Sequence, residues 1–325
     1  MSRRRGLEVA ALALACLGAP SCGSTGGEGS RTPTGGSGSM ANMSGDAGAP
    51  VSAGMTSGGS AVGGTSNSGK AGETASAGSS TSAGASSGGA SSGGASTGPW
   101  TFPTGVTKPK IMIVGDSISA GPGCYKKFLL KDLTDNGYKN LEFIGEYTDD
   151  CGGGVRHSAV SCSTAEQYTQ ATFMMPNCRP TETFPGMSTL VAKHNPDLIM
   201  LQLGVNDVWN SKPTADILGN YTKLVTQARA NNPNIVLVVA QIQKIRPDCS
   251  TDDAITKRAE ALVMAVPAWA AQQTTAKSPV FVADLWTNSD WSMAETLDCV
   301  HPNDVGAEKM GMNWYNALKG ILTPG

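Results

Sequence analysis

The sequence predicts a doubly wound α/β domain of three layers, a five-stranded parallel sheet flanked by helices, over residues 100–325. Three observations point there. All 18 aromatic residues of the 325-residue chain lie from Trp100 onward, so the apolar mass that offsets chain entropy is confined to that stretch. Five short apolar runs occur in it, and the later ones are near-continuous rather than alternating, as strands buried on both faces require. Helical patterns separate the runs, and the order strand, helix, strand gives parallel pairing.

Taken in order, residues 1–22 read as an export signal. Arg3, Arg4 and Arg5 form a positive start, and the apolar stretch 7–17, interrupted only by Glu8, is too short to span a bilayer. Ala19, Pro20 and Ser21 then precede Cys22. This resembles a bacterial lipoprotein signal, although Ala19 stands where Leu is usual. The expectation is an exported protein, secreted or held at the cell envelope by a membrane tether through lipidated Cys22. Residues 23–99 follow as a disordered linker rich in Gly, Ser and Ala. Of the 76 positions from 23 to 98, 62 are Gly, Ser, Ala or Thr, a composition expected to behave as a coil spanning about 50 Å.

The remaining 226 residues suffice for one sizeable core and are few for two domains. The apolar runs are 110–114, 141–144, 197–203, 235–240 and 280–283, with helices expected near 125–136, 215–231, 253–273 and 304–321. In the last of these Ala307, Met310, Trp314, Leu318 and Ile321 share one face. The net charge is −2, without the basic excess that nucleic-acid binding requires, and a monomer is expected.

Active groups of such sheets lie beyond the carboxyl ends of the strands. Gly115-Asp116-Ser117-Ile118-Ser119 follows the first run, Gly204-Val205-Asn206-Asp207 the third, and Asp298-Cys299-Val300-His301-Pro302 comes just before the last helix. Each fragment alone is weak, since G-D-S is only a turn with a cap. Their joint occurrence in this order is specific.

With these blocks the sequence resembles the SGNH (GDSL) hydrolases over essentially all of 108–322, and its wording is most similar to carbohydrate esterase family 3, the acetylxylan esterases. The resemblance implies a Ser-His-Asp deacetylase that needs no metal or other cofactor, with Ser117, Asp298 and His301 as its catalytic residues. It places Asn206 and the backbone N–H of Ser117 in the oxyanion hole. A further backbone donor of the family is a Gly. The matching stretch here, 157–167, puts Cys162 at that position, while Gly186 is a rival placement that keeps the glycine.

The residue types suit this chemistry by themselves. A serine hydroxyl is a poor nucleophile until a base takes its proton, and an imidazole both accepts a proton and returns it near neutral pH. Asp298, three residues before His301, can fix the ring tautomer. Asn206 can donate to a developing oxyanion. Plainer roles compete for several of these residues. Ser117 would serve as a helix cap, Asp116 as a turn carboxylate, and His194 as a structural cation at a helix end. With His157, His194 and His301 the only histidines, the sequence speaks against a zinc site. Trp209, Trp286 and Trp291 are candidate sugar-stacking platforms, against the core role common for Trp.

Apart from Cys16 and Cys22, the chain holds six cysteines, an even number suited to disulfides in an exported domain. Cys249 and Cys299 follow strands expected to be neighbours and should pair. Cys162 and Cys178 flank an insertion at 172–183 and should close it, which leaves Cys124 with Cys151. Free buried thiols are the alternative.

The expected function is therefore removal of O-acetyl groups from a polysaccharide such as xylan, an acetylated carbohydrate being the substrate partner. A short-chain lipase, thioesterase or lysophospholipase of the same fold is one alternative. A non-catalytic carbohydrate-binding surface lipoprotein is the other.

Overall fold

The computed structural model describes residues 100–149, 151–245 and 254–325. Strands β1 (Lys110–Gly115), β2 (Glu142–Ile144), β7 (Leu198–Gln202), β8 (Val236–Gln241) and β9 (Val280–Asp284) form one sheet in the order β2-β1-β7-β8-β9. Every pairing in it is parallel. Register pairs such as Ile113 with Met200 and Met200 with Val238 run through its centre. β7 is buried at all five positions and β8 at five of six, which accounts for runs without polar alternation.

Two groups of helices flank the sheet. α2 (Tyr125–Asp135) packs on α8 (Asp304–Leu318), whereas α4 (Met187–His194), α6 (Thr214–Asn231) and α7 (Ala254–Gln273) pack successively on one another. The apolar face read in the last helix is buried, with Ala307, Met310, Trp314 and Leu318 in the core. That helix ends at Leu318, however, so Ile321 reaches the core from the turn beyond it.

The connection from β2 to α4 holds elements the sequence pattern did not show. β3 (Tyr147–Thr148) pairs antiparallel with β4 (Arg156–His157), and β5 (Thr172–Met175) with β6 (Arg179–Pro185). A one-turn helix α3 (Ala165–Tyr168) lies between the two pairs. The expected insertion is thus the β5–β6 hairpin, tied down by a Cys162–Cys178 disulfide with Cα atoms 6.7 Å apart. A second disulfide joins Cys124 to Cys151 at 5.4 Å. Cys299 is disulfide-bonded, while Cys249, like Cys22 and the whole of residues 1–99, lies outside the described residues.

Candidate active site

β1 ends at Gly115 and the chain turns at once into α1 (Ser117–Ala120). Asp116 caps this turn, its Oδ1 accepting from the Ile118 N–H at 3.1 Å. Ser117 therefore stands at the first helical position, where its own N–H has no partner within the helix. At the other end of the sheet, β9 leads through a loop to Asn303, whose Oδ1 accepts from the N–H groups of Val305 and Gly306 and starts α8. The cap fixes the loop carrying Asp298 and His301.

These two ends meet. His301 Nε2 is 2.9 Å from Ser117 Oγ, and His301 Nδ1 is 2.8 Å from Asp298 Oδ2. The histidine side chain is buried while Asp298 keeps partial access to solvent. Burial pushes the Asp298 carboxyl up, but the hydrogen bonds and charge of His301 outweigh it and hold its pKa below the ordinary value. A carboxylate on Nδ1–H leaves Nε2 as the lone-pair nitrogen facing the serine, the arrangement of a general base beside a nucleophile.

Asn206 lies on α5 (Val205–Trp209), reached from the end of β7 through Gly204, which adopts φ +113°. Its Nδ2 donates to Ser163 O at 3.0 Å, and the amide carries a second N–H. The facing loop 158–164 is pinned to the end of β1. Gly115 O accepts from Val160 N at 3.0 Å, Ser163 Oγ at 3.3 Å and the Tyr168 hydroxyl at 3.1 Å. From the other side Asp207 Oδ2 accepts from Ala165 N at 3.0 Å. Within this loop Cys162 adopts φ +67°, the left-handed region that favours glycine. Gly186, the rival donor, already gives its N–H to Ala171 O at 2.8 Å. Any side chain there would also collide with Gln170 O, 1.7 Å from a built Cβ.

Buried carboxylates lie under the site. Burial raises Asp116 to about 7, with the Ile118 hydrogen bond and His301 pulling it down. Burial likewise raises Asp207 to about 6. A polar chain crosses the sheet just below: Ser119 Oγ lies 3.0 Å from both the Tyr125 hydroxyl and Gln202 Oε1, and Gln202 Nε2 donates to Gln243 Oε1 at 3.2 Å. Sequence reasoning missed this chain. Its one signal was a glutamine inside the apolar run 197–203.

Trp209 and Trp286 are half-buried and packed against the core. Trp291 is buried at 1% exposure, so its ring offers no open platform. His194 closes α4 with Nε2 2.5 Å from Glu146 Oε1, a tertiary hydrogen bond at a helix end. Among the described residues no cluster of His, Cys, Asp and Glu could hold a metal, and no helix is long and apolar enough to cross a membrane.

Comparison with known proteins gives the family and the fold. A multidomain esterase of Ruminococcus flavefaciens is 30% identical over 230 residues, covering 66% of this chain but 29% of that protein. A carbohydrate esterase family 3 structure from Talaromyces cellulolyticus matches with a TM-score of 0.54 at 27% identity, over 65% of this chain and 96% of that one. An acetyl esterase variant solved with an acetate ion matches with a TM-score of 0.54 at 26% identity and the same coverage. Residues 113–309, which carry all three blocks, match the model of the GDSL-like Lipase/Acylhydrolase family; the chain belongs to that family of SGNH hydrolases.

Proposed function

We propose that the protein is an exported serine esterase that removes acetyl groups from a polysaccharide such as xylan by a Ser-His-Asp mechanism. The observation that carries the reading is the continuous relay from Asp298 through His301 to Ser117, with contacts of 2.8 and 2.9 Å. In this mechanism His301 Nε2 takes the Ser117 proton as Oγ bonds to the acetyl carbon, and Asp298 stabilises the imidazolium. The carbonyl oxygen, now an oxyanion, receives the Ser117 N–H, the second Asn206 N–H and the Cys162 N–H. Collapse breaks the bond to the sugar oxygen, which leaves with the proton from Nε2. Water, deprotonated by the same nitrogen, then releases acetate and restores Ser117.

The finer assignments rest on separate supports. The family 3 and acetyl esterase neighbours favour a short acyl group on a carbohydrate. The basic start, apolar stretch and Cys22 of residues 1–22 favour export with a lipid tether, residues 23–99 acting as linker and 100–325 as a monomeric hydrolase domain. Trp209, one turn beyond Asn206, and Trp286 are the half-buried aromatic residues assigned to sugar stacking on this reading. The test is a comparison of p-nitrophenyl acetate, longer p-nitrophenyl esters and acetylated xylan. Hydrolysis that favours acetate and includes xylan supports the reading. A preference for long chains would turn it to a lipase or thioesterase, and no hydrolysis at all to a binding protein.

A further inference from the structure

A cleft of 310 Å³ opens beside α1. Its walls are Ala120 at the end of that helix, Tyr147 and Asp149 at β3, His157 on β4, Ser161, and Arg179 at the start of β6. The volume falls within the about 300–1,000 Å³ of small-molecule sites, well beyond what the methyl of an acetyl ester fills. Chain continuity sets its position relative to the proposed nucleophile. Ala120 is three residues from Ser117 on one helix, about 5 Å along its axis, and Ser161 adjoins Cys162. Beyond Ala120 the chain passes against the residue that follows His301: a Cβ built on Gly123 would lie 2.2 Å from Pro302 O. In the proposed reaction the departing alcohol takes its proton from His301 Nε2.

The walls present directed polar groups. His157 Nδ1 accepts from Ala159 N at 3.2 Å, and burial, with the charges of Lys126 and Arg156, lowers its pKa to about 3. A neutral imidazole that accepts at Nδ1 carries its proton on Nε2 and is a donor there. The Tyr147 ring lies 5.7 Å from the His157 ring and adds a hydroxyl and an apolar face. Arg179 follows Cys178 directly, so the bridge to Cys162 anchors it beside the loop at the site; its Nη1 also pairs with Glu182 at 3.2 Å. The buried Lys126–Asp149 ion pair, at 3.6 Å, and the Cys124–Cys151 bridge hold the β3 side of the cleft in place.

Resting on the esterase reading above, we propose that this cleft is the leaving-group subsite, that it takes a polyhydroxylated alcohol such as one sugar unit of an acetylated polysaccharide, and that His157, Tyr147 and Arg179 are its specificity-determining residues. Several fixed polar groups around a ring face match a polyol. An alkyl alcohol would make no hydrogen bond to these groups, so the cleft would discriminate against it. The short acyl group, on this reading, needs no more than the space at Ser117 itself.

The test measures kcat/KM for an acetylated xylo-oligosaccharide and for p-nitrophenyl acetate in Arg179→Ala, Tyr147→Phe and His157→Gln. The ratio of the two should fall more than about threefold in each variant, mainly through KM for the oligosaccharide. Arg179 and Tyr147 are partly exposed, so their variants keep the test decisive if His157→Gln does not fold. Oligosaccharide binding to Ser117→Ala, followed by calorimetry, should weaken by a similar factor when Arg179→Ala is added. Ratios within threefold of wild type in both surface variants overturn the subsite, as does a wild-type enzyme that cleaves p-nitrophenyl acetate but no acetylated sugar. Failure of the esterase reading is read separately, as full p-nitrophenyl acetate hydrolysis by Ser117→Ala.

Discussion

The two carboxylate oxygens of Asp298 make three contacts, two of them to His301: Oδ2 lies 2.8 Å from the ring Nδ1, while Oδ1 accepts from the backbone N–H of His301 at 2.7 Å and of Val300 at 3.1 Å. The same side chain thus shapes the loop and orients the ring. The two roles separate by substitution. Asp298→Asn keeps an acceptor for the backbone but loses the charge on Nδ1, so the fold should survive while kcat drops on the order of 10³–10⁴-fold. Circular dichroism paired with p-nitrophenyl acetate kinetics checks this. A fall of under tenfold would remove Asp298 from the proposed mechanism.

Ser117→Ala and His301→Ala should each abolish ester hydrolysis. Because the groups act as a unit, the double variant should be little worse than either single one. Additive losses in single-turnover measurements would contradict the relay.

Asn206→Ala removes the amide proposed for the oxyanion hole and its bond to Ser163 O. The expected cost is about 10²–10³ in kcat with KM little changed. A variant that loses mainly KM would place Asn206 in ground-state binding instead.

Asp116 gives a pH-dependent stability difference. Its folded pKa of about 7 lies above the ordinary 3.8, so the native state holds the proton more tightly than the unfolded chain. Its contribution to stability is complete below about pH 4 and is lost as pH rises through 7. Asn also caps helices, so Asp116→Asn should match wild type near pH 4 and melt at higher temperature at pH 8. Equal melting temperatures at both pH values would show that the carboxyl is not protonated in the fold.

The Cys162–Cys178 bridge closes a loop with a sequence separation of 16. Cys178→Ser should cost about 3 kcal/mol in the chain-entropy model, and it frees the hairpin that bears Arg179. Thermal melts and oligosaccharide KM should both respond. A melting temperature unchanged within a degree would count against the bridge as a brace.

What the sequence made readable follows from burial. β7 and β8, buried nearly throughout, appear as unbroken apolar runs. Ser117 and Asn206 are legible as candidates because each follows a strand within a short, distinctive block, and His301 because its block stands just before the last helix. The β5–β6 hairpin escaped notice because β6 is exposed at four of seven positions and contains two prolines, which erases alternation. The pair β3 and β4, two residues each, is too short to carry any period. Trp291 misled for the opposite reason: it sits among polar loop residues, yet the fold turns its ring inward through a backbone at φ +54°. Buried Gln202 and Gln243 are legible only as exceptions in apolar surroundings, since their meaning depends on which strands become neighbours.

The triple acceptance at Gly115 O, from Val160, Ser163 and Tyr168, has a practical meaning for protein engineering. It welds the turn bearing Ser117 to the loop bearing Cys162, so random libraries in 158–168 would chiefly return inactive clones. The β3–β4 and β5–β6 hairpins hang outside that weld. With the cleft as the leaving-group subsite proposed above, diversity placed at Tyr147, Thr148, Arg179 and Glu182 would let selection retune which esters are accepted while the proposed bond-breaking apparatus is inherited unaltered.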